Sequence, residues 1–416
     1  MYLEQFTVRL LCVKIFLFSH SPTPDIRDMT FNAIRSIRLR WNQKELPLDS
    51  ILSALTPDGK GVRRSSIEFI TLRYVDASEF LTRHSFPKLR QLHISTMDNF
   101  PLWEHLGQHT TALTDLFLSL DDKASCPTTT QLLSILASNS RLQILALFKW
   151  AIPRDSQSMV TVPLRYLERL SIDAEIRPVF QLLSQLEYPD RMKWMNSTVT
   201  DCVAEDIPGT IGPYVRNHIQ RDGRFQESFG ISINSSNAVS IETSATNDSD
   251  ATQRLTFAAF TAIMQEDEDL PLHNKAQMCA DLVAHIPAEH VVYLESDLDM
   301  DSVKRAVLTM PKIKELRLFW PKLQNGFLQP APRDPLAKKL LPSLQCLCLE
   351  DVLENGGWSH LLRYLTHQTS DGQQIALRIY GDHEHICKGV LKKMERFTEE
   401  LVLDLALVRE CPYCKD

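Results

Sequence analysis

The sequence predicts an α/β protein built as an irregular solenoid, with one strand and one short helix in each stacked repeat. Three observations carry this. A phrase of the form apolar-x-x-Leu-x-Leu recurs along the chain; apolar and polar residues alternate within it; between copies, apolar residues return every three or four positions. Alternation is the period of a half-buried strand, whereas i, i+3, i+4, i+7 spacing marks one face of a helix. A single strand and helix cannot bury their own apolar faces, so successive units must stack to share a core.

The clearest copies of the phrase are Phe86–Ile94, Met310–Leu318 and Leu341–Leu349, each with Pro after its first residue. Looser copies begin at Ile34, Ile67, Leu113, Leu142 and Leu167. With Leu89 included, the steps between leading residues are 33, 22, 24, 29 and 25, then 31 from Ile313 to Leu344. Leucine-rich repeats occupy about that range of periods. The Asn or Cys expected after the strand is replaced by Met97, Asp121 and Pro321, which predicts a leucine-rich-repeat-like solenoid of irregular build.

Taken in order, residues 1–30 read as an N-terminal extension or a truncated upstream element. Its apolar run, Phe6–Phe18, follows Glu4, carries internal charges and ends in no small-residue cleavage site, so an edge strand is expected rather than a signal peptide. Residues 31–189 form the first repeat block. Val179, Leu182, Leu183 and Leu186 predict one of its helices. In 190–275 the phrase lapses. There Ile231 and Ile233, then Val239 and Ile241, predict a hairpin turning at Ser235–Asn237. Thr243–Gln253 reads as an exposed loop, and Glu266–Asp269 as a solvated acidic run. The second block, 276–410, opens with a strand at His290–Leu294. Helices follow on Val303, Ala306, Val307 and Met310 and on Trp358, Leu361, Leu362 and Leu365; strands Ile375–Ile379 and Leu401–Leu405 close it. Residues 411–416 are a tail.

Composition narrows function. A length of 416 residues at 44% hydrophobic content supports a large core, and the net charge of −7 argues against nucleic acid as a partner. No run approaches the roughly 18 apolar residues of a membrane helix, so no membrane partner is expected. Nine scattered cysteines do not form a disulfide framework and read as free thiols of a reducing compartment, the cytoplasm or nucleus. No hydrolase, nucleotide or zinc-protease motif occurs, and only 13 glycines are present to build phosphate-cradling loops. Cys411-Pro412-Tyr413-Cys414 has the spacing of a redox pair but only Lys415 and Asp416 behind it, too little for the activating helix. His383, His385 and Cys387 could add zinc ligands to that pair, yet the spacing is unlike common zinc sites, and it reads as a tail with spare thiols. Neither enzyme activity nor a cofactor nor a metal is expected.

On a repeat strand, the residue between two inward leucines points outward. Those positions are Arg38, Thr71, His93, Phe117, Ala146, Ser171, Arg317 and Cys348; Arg40, Phe148, Asp173, Phe319 and Glu350 come next. Aromatic residues and arginines dominate interface hot spots. Arg38, His93, Phe117, Phe148, Arg317 and Phe319 are therefore the candidate contacts for a protein partner on the concave face.

The chain resembles the leucine-rich-repeat-like F-box proteins that are numerous in mushroom-forming fungi. The likeness rests on Phe86–Ile94, on Leu142–Trp150, on Val199–Ile207 before Pro213–Arg216, and on Leu341–Val352 followed by Trp358–Leu362. It implies a substrate-recognition subunit of a cullin–RING ubiquitin ligase, with the F-box on the ligase adaptor and a protein substrate on the repeats. The one candidate opening of an F-box, Leu46-Pro47-Leu48-Asp49 and on to Leu55, lies between two strand phrases and reads as the helix of a repeat. The expectation is thus either a gene product lacking its F-box or a repeat-only relative that does not engage the ligase.

Overall fold

Every leucine phrase becomes a parallel β-strand in a computed structural model of the chain. The structure describes residues 13–16, 36–40, 67–73, 86–96, 103–155, 160–190, 192–203, 205–221, 229–234, 238–245, 255–264, 281, 283–297, 300–319, 341–350, 358–370, 372–381, 386–405 and 408–409. Seven α-helices occur among them, the main sheets are largely parallel, and no barrel closes. The chain divides into two units, Met1–Thr200 and Asp201–Asp416.

The first unit runs β1 (Val13–Phe16), β2 (Ser36–Arg40), β3 (Phe69–Arg73), β4 (Gln91–Thr96), α1 (Trp103–His109), β5 (Asp115–Leu120), α2 (Thr129–Ser138) and β6 (Ile144–Lys149). It continues with β7 (Val162–Pro163), β8 (Arg169–Glu175), α3 (Ile176–Ser184), β9 (Leu186–Glu187) and β10 (Trp194–Cys202). Its sheet order is β1-β2-β3-β4-β5-β6-β8-β10, parallel throughout, with β7 and β9 paired apart. β1 falls inside the apolar run Phe6–Phe18 and stands at the sheet edge. β10 carries no leucine phrase, yet it continues the ladder beside β8.

Why the phrase folds this way is visible at its start. At five of the phrases the amide of the leading residue donates to the carbonyl three residues back: Leu89 to Phe86 (3.0 Å), Leu142 to Asn139 (3.0 Å), Leu167 to Leu164 (3.0 Å), Ile313 to Met310 (3.3 Å) and Leu344 to Leu341 (3.3 Å). Pro87, Pro311 and Pro342 take the second place of their turns, where a φ fixed near −65° is already correct. The residue after each leading leucine then offers its carbonyl to two amides of the next repeat. Glu68 accepts from Arg90 and Gln91, Arg90 from Thr114 and Asp115, Thr114 from Gln143 and Ile144, and Gln143 from Glu168 and Arg169. This spine fixes register, so every repeat points the same side chains the same way.

The apolar partners then bury completely. Ile70, Leu72, Leu92, Ile94, Leu116, Leu118, Leu145, Leu147, Leu170 and Ile172 are all at or below 1% exposure. Leu132, Leu133, Ile135 and Leu136 of α2 and Val179, Leu182 and Leu183 of α3 supply the helical side of the core. α2 starts on a capping box: Thr128 Oγ1 accepts from the Gln131 amide (3.2 Å) while Gln131 Oε1 accepts from the Thr128 amide (2.9 Å). Leu186, expected to finish the α3 face, instead starts β9. Buried Asn139, just past α2, accepts from the Leu113 amide (3.0 Å) and donates to the Ile135 carbonyl (2.8 Å). It pins the end of the helix to the turn before β5.

In the second unit α4 (Gly212–Arg221) follows a π-helical turn, Ile207–Ile211. Next come β11 (Phe229–Asn234), β12 (Ala238–Ala245), β13 (Leu255–Met264), β14 (Val291–Ser296), α5 (Met300–Leu308), β15 (Glu315–Phe319), β16 (Cys346–Glu350) and α6 (Trp358–Gln368). The chain ends with β17 (Ile375–Gly381), β18 (Ile386–Cys387), α7 (Lys388–Met394), β19 (Thr398–Leu405) and β20 (Val408–Arg409). The order β13-β12-β11-β14-β15-β16-β17-β19 joins an antiparallel three-stranded segment to a parallel run, and β18 pairs with β20.

Three readings need correction here. The hairpin is present, with Ile233 opposite Ile241, but β12 extends through Thr243–Ala245, which read as the start of a loop. A third strand, β13, was not anticipated at all; its ten residues pair with β12 from Ala238↔Ile263 to Ala245↔Leu255. In α6 the buried stripe is Trp358, Leu361, Tyr364, Leu365 and Gln368, with Leu362 half-buried, so the helix is rotated slightly from the expected face. Leu46–Leu55, Glu266–Asp269, His383, His385, Cys411 and Cys414 lie outside the described residues.

Candidate functional site

Register places the predicted outward residues of the first unit in one row. Cα partners run Arg38↔Thr71↔His93↔Phe117↔Ala146↔Ser171↔Asn196 across β2 to β10. The next row is Arg40↔Arg73↔Ser95↔Ser119↔Phe148↔Asp173↔Thr198. Arg38 is thus placed by its backbone between Lys14 of β1 and Thr71 of β3. Strands of one sheet stand about 4.8 Å apart, so rings on neighbouring strands touch.

Three of the candidates form one aromatic ladder. The His93 and Phe117 ring centroids lie 5.6 Å apart and tilt by 41°; Phe117 and Phe148 lie 5.1 Å apart and tilt by 40°. These are favourable tilted arrangements for aromatic pairs. The rings are half-buried because each covers its neighbour, and they do not stand fully in water. Ala146, at 7% exposure, sits beneath the ladder as a small floor between larger neighbours.

Charge frames these rings. Burial pushes the Asp115 carboxyl above its ordinary range, while His93, a Gln91 side-chain hydrogen bond and Arg169 hold it back. Burial likewise raises Asp173, against the opposing pull of Lys149. Lys149, with φ of 57°, pairs with Asp121 at the end of β5. Past β6, the Arg154 guanidinium lies over the Trp150 ring, 3.4 Å from its centroid, and donates to Glu175 at 2.5 Å. Trp150 and Arg154 were not among the predicted contacts. A Trp two residues beyond an outward Phe, with Arg four residues on, was the available signal.

The second unit carries its own outward row, Ser232↔Glu295↔Arg317↔Cys348↔Arg378↔Val402. Phe319 belongs to the following row, Phe319↔Glu350↔Tyr380↔Asp404. Arg317 Nε donates to Glu350 Oε1 at 2.6 Å, with Nη2 on the same oxygen, and its guanidinium lies 5.4 Å from the Phe319 ring centroid. Burial opposes the charge of Arg317, but the Glu350 hydrogen bond and charge, with Tyr293 and Glu295, outweigh it and raise its pKa. Arg378 pairs with Glu400 at 3.2 Å. This face is therefore a lattice of paired charge with aromatic rings at Phe319 and Tyr380.

Cys348 departs from its expected exposure. It is 4% exposed, packed between Cys346, whose Sγ lies 3.7 Å away, and the Glu315 carboxylate, 4.0 Å away. Among the described residues Cys126, Cys202, Cys346 and Cys348 form no disulfide. No described helix is long and apolar enough to cross a membrane. No family model matches the chain, and no curated protein matches it.

Proposed function

We propose that this chain is a non-enzymatic interaction protein, an irregular leucine-rich-repeat-like solenoid that holds a protein partner on its outward, concave strand face. The observation that carries the reading is the His93–Phe117–Phe148 ladder: three adjoining rings on a rigid parallel sheet, framed by Asp115, Asp173 and Lys149. Rigid aromatic anchors lose little entropy on binding, and an apolar centre inside a polar rim is how hot spots are built. The repeated turns and the two-amide carbonyl spine support the solenoid, since each repeat uses the same bonds to seat the next. By its resemblance, the partner is a substrate delivered to a cullin–RING ubiquitin ligase in the cytoplasm or nucleus, and the adaptor and cullin are further partners.

One observation favours the second reading, a repeat-only protein that does not engage the ligase. β2 and β3 are direct parallel neighbours, Ser36↔Phe69 to Arg40↔Arg73, as expected of successive repeats, and the sequence reads Leu46–Leu55 between them as a repeat helix. Affinity capture from the native extract separates these readings, because only the first recovers the adaptor and cullin.

The binding face itself is tested by Phe148→Asp in the first unit and Phe319→Asp in the second. Each half-buried ring is replaced without touching the buried leucines, so the fold should persist. Capture of a partner should weaken about 30-fold or more for a ring at a hot spot, the effect of losing about 2 kcal/mol. Unchanged capture by both folded variants would refute the strand face as the contact surface.

A further inference from the structure

The geometry points to a zinc-class metal site on the outward face of the second unit, formed by Glu315, Cys346 and Cys348. This goes beyond the partner reading and does not depend on it. Cys346 and Cys348 are two residues apart on β16, so the strand period puts both sulfurs on one face of the sheet. Glu315 on β15 is the Cα partner of Cys346, which brings its carboxylate to the same spot from the adjacent strand.

Distances fit a tetrahedral ion. The two Sγ atoms lie 3.7 Å apart, Cys348 Sγ lies 4.0 Å from Glu315 Oε1, and the three donor atoms lie within 4.8 Å of one another. With Zn–S bonds of about 2.3 Å, a tetrahedral zinc separates its sulfurs by about 3.8 Å, which is the spacing already present. A sulfur–oxygen edge is about 3.5 Å, so the half-buried Glu315 side chain must close about half an ångström on Cys348. Both cysteines stand on a strand paired on both sides, β15 and β17, which fixes two ligands before the ion arrives.

Chemistry selects the class of ion. Two thiolates with one carboxylate suit borderline-soft Zn²⁺, whereas an all-oxygen set would suit magnesium or calcium and an all-sulfur set would suit copper(I). Cys346 is half-exposed, so the ion can enter from solvent and a fourth ligand, water or an incoming side chain, can complete it. The two sulfurs already lie within hydrogen-bonding reach of each other, 3.7 Å apart. Metal uptake displaces the thiol protons into solvent, so affinity should rise with pH.

The test uses the full chain carrying Cys411→Ser and Cys414→Ser, which removes the tail thiols from the readout. The reduced, chelator-stripped protein is titrated with Zn²⁺ against a chromophoric competitor, and with Co²⁺ to read thiolate-to-cobalt absorption. One equivalent should bind, with a two-thiolate cobalt spectrum. Adding Cys346→Ser and Cys348→Ser should remove that spectrum and weaken zinc by at least about 100-fold, and adding Glu315→Gln should cost roughly tenfold. Absence of thiolate-to-cobalt absorption in the parent protein would overturn the site without reference to any variant. So would zinc affinity unchanged by the Cys346/Cys348 replacements.

Discussion

At Cys202, the last residue of β10, burial takes the thiol out of water and Asp206 and Asp201 add negative charge beside it, pushing its pKa up to about 12. The ordinary value is near 9, so the folded state holds this proton where the unfolded chain releases it. The stability it lends is complete below pH 9 and is lost as pH climbs through about 12. Denaturant midpoints between pH 8 and pH 11 should therefore fall more steeply for the wild type than for Cys202→Ala. Parallel curves would show that the Cys202 proton is not linked to folding. Side-chain direction was legible at this scale: alternation alone put Thr71, His93, Phe117, Ala146 and Ser171 in one row. Exposure was not, because it depends on the next strand over. Ala146 lies beside Phe117, and Cys348 packs on Glu315 as well as on Cys346; the cross-strand contacts, about 30 residues apart in sequence, are encoded by no local period.

Elements were legible wherever a turn signal and a leucine spacing coincided, as at Phe86-Pro87-Lys88-Leu89 and Leu341-Pro342-Ser343-Leu344. β10 and β13 lacked both. In β10, alternation holds, but inward Met195, Ser197 and Val199 replace the leucines, and Ser197 is fully buried. β13 is an apolar run without leucine phrase or Pro turn, and its place comes from antiparallel pairing with β12. The ties between elements are also beyond a periodic reading. Asn139 does for one repeat what a strand-following Asn would have been expected to do, but from the far end of α2. Gln368 at the end of α6 plays a similar part, donating to the Leu341 carbonyl at 2.6 Å. Asn139→Ala leaves the buried Leu113 amide without its acceptor, which should cost about 1–3 kcal/mol in chemical denaturation. A change of only about a few tenths of a kcal/mol would mean the helix-to-turn tie is dispensable.

At the scale of the molecule, each unit is an α/β sheet, parallel apart from β11–β13, that turns its leucines one way and its variable residues the other. That separation lets the outward rows change without disturbing the core, which is why a repeated sequence reads as a binding surface. The first unit offers aromatic rings, and the second offers paired charges with a cysteine cluster. The central claim is that the partner sits on the strand side. Its most direct measurement places a photo-crosslinking amino acid at Ser171, in the row of Phe117 on β8, and separately at Arg177, exposed on α3. The account predicts a cross-link to the captured partner from position 171 and none from position 177. A cross-link from the helix position alone would contradict it and move the binding surface to the opposite side of the sheet.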